Sequence, residues 1–113
     1  MNELDWIREF PASVTVCNRD GVILEMNERA AQGYEQEGGR DLIGRNLLDC
    51  HPEQARSKMQ SLLASGEKNV YTIEKNGMKK LIYQSPWFAG GSYAGFVELA
   101  LEIPWEMPHF IRS

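Results

Sequence analysis

The 113-residue sequence predicts one α+β domain, an antiparallel sheet with short helices gathered on one of its faces. Three observations carry that expectation. Period-two hydrophobic alternation occurs in two separated blocks, around residues 13–26 and 70–103. Each block contains a tight-turn signal, Asp20-Gly21 in the first and Asn76-Gly77 in the second. The intervening stretch has helical spacing interrupted by glycines. Strands joined by short turns run antiparallel, so the helices between the two blocks must fold together onto the sheet.

Taken in order, Leu4, Ile7 and Phe10 recur at helical spacing with Trp6 beside them, predicting a short amphipathic helix that Pro11 ends. Val14 and Val16 alternate with Ser13, Thr15 and Cys17, a strand period. After the Arg19-Asp20-Gly21 turn, Val22, Leu24 and Met26 alternate with Ile23 and Glu25 on a returning strand. Asn27 is placed to cap a short helix through Ala30, Ala31 and Tyr34, which Gly38-Gly39 breaks. A second helical piece is expected over residues 41–43, before Gly44. Pro52 suits a first helical turn, and Ala55, Met59, Leu62 and Leu63 form the apolar face of the longest helix. Gly66 stands where a left-handed cap belongs.

Residues 70–75 then read as a strand, Asn76-Gly77 as a type I′ turn and residues 78–87 as the return. Pro86 marks that strand's end, a bulge or an exposed edge. Gly90-Gly91-Ser92 makes the next loop. Residues 93–103 alternate most regularly, with Tyr93, Gly95, Val97, Leu99, Leu101 and Ile103 on one face and Ala94, Phe96, Glu98, Ala100 and Glu102 on the other. Which face is inward stays open, because a one-residue slip reverses every assignment.

Composition narrows the function classes. Hydrophobic residues make up 42% and charged ones 25%, a globular balance, and the formal net charge is −4. The twelve basic residues form no dense run, which argues against a nucleic-acid partner. No leader pattern and no apolar stretch near the ~20 residues of a spanning helix is present, so a cytoplasmic, membrane-free domain is expected. Cys17 and Cys50 read as two reduced thiols.

The element order, together with Asp20-Gly21-Val22-Ile23-Leu24, Met26-Asn27, Ala30-Ala31 and Tyr34, resembles the PAS family. Leu42-Ile43-Gly44-Arg45-Asn46 and Gly95-Phe96-Val97-Glu98 extend the resemblance over roughly residues 3–103. It implies a PAS fold with a five-stranded antiparallel sheet in the order 2-1-5-4-3, dimerisation, and sensing of small molecules, light, redox state or gas. The corresponding division is an N-terminal amphipathic helix over 1–11, the PAS domain over 12–103 and a Pro-containing tail over 104–113.

A pocket is expected between the helices and the sheet, with Met59, Leu62 and Leu63 as apolar lining and Asn46, Tyr71, Tyr83 and Gln84 as polar contacts. A filled core is the competing reading. The flavin photoreceptor subgroup carries a reactive cysteine directly after Gly-Arg-Asn; Leu47 stands there, so no flavin photoadduct is expected. Cys50-His51-Pro52 precedes the longest helix, near where haem-binding members hold iron through histidine, and resembles a subgroup fused to hemerythrin-like or regulatory domains. His51 is thus the candidate haem ligand, or a residue that caps the helix start or points at solvent, and Cys50 a candidate redox thiol or an inert buried one. No metal-ligand spacing and no catalytic signature is found, so no enzyme activity is expected.

Pro104 and Pro108 interrupt any helix after the last strand, so output is expected through contact. The dimer interface is assigned to Leu4, Trp6, Ile7 and Phe10, with Trp105 and Phe110 packing nearby. The expected function is a sensory domain that binds a small ligand or cofactor and signals through a homodimer or a partner signalling protein. A ligand-free dimerisation or protein-interaction module is the first alternative, and a haem-based gas or redox sensor the second.

Overall fold

A computed structural model describes residues 5–113, so Leu4 of the expected dimer interface lies outside the described residues. The elements follow in the order α1 (Asp5–Arg8), β1 (Ser13–Asn18), β2 (Ile23–Met26) and α2 (Glu28–Gly33). Three 3₁₀ turns come next, Glu35–Glu37, Gly39–Leu42 and Leu47–Cys50. The chain finishes with α3 (Glu53–Ser65), β3 (Asn69–Lys75), β4 (Met78–Ala89) and β5 (Ser92–Ile103).

The sheet has five strands in the order β2-β1-β5-β4-β3, every neighbouring pair antiparallel, the order that the resemblance implies. β5 is central, pairing with β4 along its length and with β1 across its middle. The Asn76-Gly77 turn has φ of 54° and 77° at its two central residues, the type I′ geometry. Pro86 sits inside β4 opposite Phe96, beyond the point where β3 stops at Asn69 opposite Gln84. Its missing N–H therefore breaks no ladder to β3, which makes it the exposed-edge case.

Two bulges change which side chains share a face. β1 and β2 pair Val16 with Glu25 but Cys17 with Ile23, leaving Leu24 as an extra residue. Ile23 and Met26 therefore both point into the core, whereas simple alternation groups Leu24 with Met26; Leu24 is 40% exposed. In the same way β4 and β5 pair Trp87 with Gly95 but Phe88 with Tyr93, leaving Ala94 unpaired. Tyr93 thereby joins the face of Phe96, against which its ring packs edge-on at 6.1 Å between centroids. Strict alternation places it with Gly95.

At the β2–α2 corner Ile23, Met26, Ala30 and Leu42 form a buried cluster flanked by Tyr34 and Leu47. Asn27 ties that corner together and is 5% exposed. Its Oδ1 accepts from Ala30 N–H at 3.0 Å, the expected helix cap, and also from Val14 N–H at 3.0 Å. Its Nδ2 donates to the carbonyls of Ala12 at 2.7 Å and Ile7 at 3.1 Å. One side chain thus fixes β1, α2 and the approach from α1.

Two local expectations shift and a third holds. The helical piece expected over 41–43 is the 3₁₀ turn Gly39–Leu42. Pro52 occupies the N-cap position just before α3 instead of its first turn, with ψ of 159°. Gly66 caps the other end of α3 in the left-handed region, at φ 68°.

Candidate functional site

Between α3 and the sheet lies a partly open cavity of about 70 Å³. Ile23, Leu42 and Leu47 form its wall on the packed-corner side, with Tyr34 beside them, and Met59, Leu62 and Leu63 of α3 form the opposite wall. Thr15, Cys17, Gln84, Phe96 and Glu98 line its sheet side, and His51 stands near the start of α3. Roughly 10–15 Å³ of such volume accepts a water, so the space suits a few ordered waters or a small molecule.

Strand register explains the polar side. Thr15 lies opposite Glu98, Glu98 opposite Gln84, and Gln84 opposite Asn69, so one row crosses four strands on the helix-covered face. Asn69 Nδ2 donates to Gln84 Oε1 at 2.8 Å, and Gln84 Nε2 donates to Glu98 Oε2 at 2.8 Å. The adjoining row puts Cys17 opposite Phe96. Burial pushes the Cys17 thiol up from its ordinary value, a backbone hydrogen bond at Phe96 opposes this, and the Glu98 charge adds to the rise. The thiol is therefore kept protonated and weakly nucleophilic.

α3 is held lightly. None of its residues is buried; Met59, Leu62 and Leu63 are half-buried over the cavity. At its entry the His51 Nδ1 atom sits 2.7 Å from the Leu47 carbonyl, which can only accept, so Nδ1 carries the proton. In the neutral ring Nε2 is then the acceptor. At its exit the Tyr93 hydroxyl donates to the Leu63 carbonyl at 2.9 Å, and the Arg19 guanidinium lies 5.0 Å over the Tyr93 ring. Burial raises the Tyr93 phenol, the Cys17 thiolate would add to that, and Arg19 opposes both.

The residues expected at the pocket divide. Met59, Leu62, Leu63 and Gln84 line the cavity together. Tyr83 does not: its row is Val14, Leu99, Tyr83 and Val70, on the opposite face of the sheet. Tyr71 shares the face of Gln84 but sits on edge strand β3, 43% exposed and outside the lining; burial and the Glu98 charge raise its phenol. Asn46 is a cap, its Oδ1 accepting from Leu48 N–H at 2.9 Å and its Nδ2 donating to the Asp20 carbonyl at 2.8 Å. The Cys50 side chain lies outside the described residues.

Of the expected dimer residues, Trp6 is 61% and Phe10 46% exposed, with rings edge-to-face at 6.1 Å, while Ile7 is half-buried. Trp105 and Phe110 are exposed. Thr15, Cys17, Phe96 and Glu98 are cavity residues that the sequence reading did not name. Glu98 carried a signal: a carboxylate on the Phe96 and Ala100 face of the central strand breaks the local pattern, and such breaks concentrate at sites.

Among the described residues no group of three or more His, Cys, Asp or Glu is arranged to hold a metal ion, and no helix is long and apolar enough to cross a membrane. Haem fits poorly. His51 presents a suitable nitrogen, but about 70 Å³ does not admit a macrocycle when drug-sized pockets begin near ~300 Å³.

A family model described as PAS fold matches residues 7–74. No curated protein matches the sequence. Among solved structures, a C-terminal domain from Streptococcus mutans is 20% identical with a TM-score of 0.68, the match covering 85% of this chain and 78% of that one. The PAS domain of Bordetella pertussis BvgS is 15% identical with a TM-score of 0.65, over 90% and 87% of the two chains. The PAS domain of the histidine kinase ThkA is 21% identical with a TM-score of 0.60, over 79% and 96%.

Proposed function

Because the chain belongs to the PAS family, we propose that it is a sensory signalling domain whose cavity under α3 takes a small ligand. The observation that carries this reading is the polar row Thr15–Glu98–Gln84–Asn69 crossing an otherwise apolar enclosure. Apolar packing needs no carboxylate there, and Glu98, half-buried and held by Gln84 through one oxygen, keeps acceptor capacity for a guest. The likeness to a histidine kinase's PAS domain supports a place in signalling.

The wall that responds is α3. Its residues touch the cavity while none is buried, so a ligand changes its seating at low cost. The change reaches β5 through the Tyr93–Leu63 hydrogen bond. Output passes through contact with a second copy, for which exposed Trp6 and Phe10 on the α1 side are the anchors. Trp6→Glu is expected to shift sedimentation from dimer to monomer without lowering the melting temperature of the domain.

Native mass spectrometry of the protein as purified, with thermal shift across a library of small metabolites, tests the ligand. A bound mass or a stabilising compound, lost when Leu63→Trp fills the cavity, supports the reading. A folded wild-type protein that retains no mass and responds to no compound contradicts it and favours a ligand-free interaction module.

A further inference from the structure

Resting on the ligand-binding reading above, we propose that the cavity selects a small, mainly apolar molecule bearing a protonated amine, and that Glu98 is the residue that reads its charge. The hydrogen-bond chain across the sheet has a direction. Asn69 donates to Gln84 Oε1, which turns Gln84 Nε2 toward Glu98, where it donates to Oε2. The chain ends on a carboxylate and uses one of its two oxygens in doing so. Among the described residues no lysine or arginine forms an ion pair with Glu98, whose carboxylate is met there by the neutral Gln84 amide.

The other polar groups around the space are compatible with a cationic guest. Cys17 is a neutral thiol because burial holds it protonated. Thr15 offers a hydroxyl that can accept, and His51 has its Nδ1 proton turned to the Leu47 carbonyl. Apolar walls from Leu42, Met59 and Leu62 suit a short hydrocarbon body. An ammonium against the half-buried Glu98 forms a charge-assisted hydrogen bond, whereas a carboxylate guest meets like charge. The volume of about 70 Å³ confines the guest to a few heavy atoms.

Three probes of one carbon skeleton separate the possibilities: butylammonium, butanol and butyrate, each titrated into the isotope-labelled full chain and followed by amide chemical shifts. Butylammonium is expected to move the Gln84, Glu98 and α3 amides with a Kd about tenfold below that of butanol, and butyrate to bind more weakly than butanol. In Glu98→Gln, which preserves the acceptor facing Gln84, butylammonium should fall to within about twofold of butanol. Butanol or butyrate binding the wild type as tightly as butylammonium would overturn the charge assignment while leaving a ligand cavity in place. Persistence of the ammonium preference in Glu98→Gln would remove Glu98 as its reader. Absence of any shift at these amides with all three probes would overturn the inference, while the ligand-binding reading is decided separately by the bound mass and the metabolite library.

Discussion

The corner built from β1, β2 and α2 and the wall formed by α3 are made of similar residue types and behave oppositely. At the corner Ile23, Met26, Ala30 and Leu42 are buried together, and Asn27 satisfies backbone groups from several segments. α3 is the longest helix of the fold, yet it buries no residue and rests on the half-buried Ala55, Met59, Leu62 and Leu63 and a hydrogen bond from Tyr93. Helix length is thus a poor guide to anchorage. What matters is whether apolar side chains find partners on all sides, and those of α3 face a cavity on one of theirs.

The largest effect is expected at Asn27. Asn27→Ala strands buried donors and acceptors in β1, α2 and the α1 approach, and should cost about 3 kcal/mol or more in urea unfolding. A loss below about 1 kcal/mol would mean that the corner is not the anchor. Leu63→Ala, at a half-buried site beside empty space, should cost about 1–2 kcal/mol, less than a fully buried leucine. A Leu63→Ala loss equal to that of Asn27→Ala would erase the contrast between the two regions.

A smaller effect follows from Cys17. Its thiol is raised above the ordinary 9.0 in the folded chain, so its contribution is complete below pH 9 and is lost as the pH climbs above that, where the unfolded thiol ionises first. Unfolding free energy should therefore decline above pH 9, and the decline should be shallower in Cys17→Ala. Equal slopes in the two proteins would show that the thiol does not couple to folding.

The fold was legible where local chemistry is unambiguous. Asn76-Gly77 specifies its turn, Asn27 its cap and Gly66 its helix end, and with these the element order and antiparallel sheet follow. The site was legible on the helix, because Met59, Leu62 and Leu63 show helical periodicity. It was less legible on the sheet. Alternation alone leaves open which face of β5 looks inward, and the more apolar face, with Leu99, is the one turned away from the helices. Bulges at Leu24 and Ala94 then shift the parity on β2 and β5 without marking the sequence. Tyr83 was misplaced for the same reason of parity, since its neighbour Gln84 belongs to the cavity and it does not.

Native-state hydrogen exchange, read amide by amide, tests most directly the claim that α3 is the movable wall of a sensing cavity. The amides of Met59 to Leu63 should exchange through local opening at least tenfold faster than those of Val14 and Ala30, and should slow selectively when a stabilising compound is bound. If α3 and the corner exchange at one common rate, or the compound slows the corner and leaves α3 unchanged, α3 is not the wall that senses.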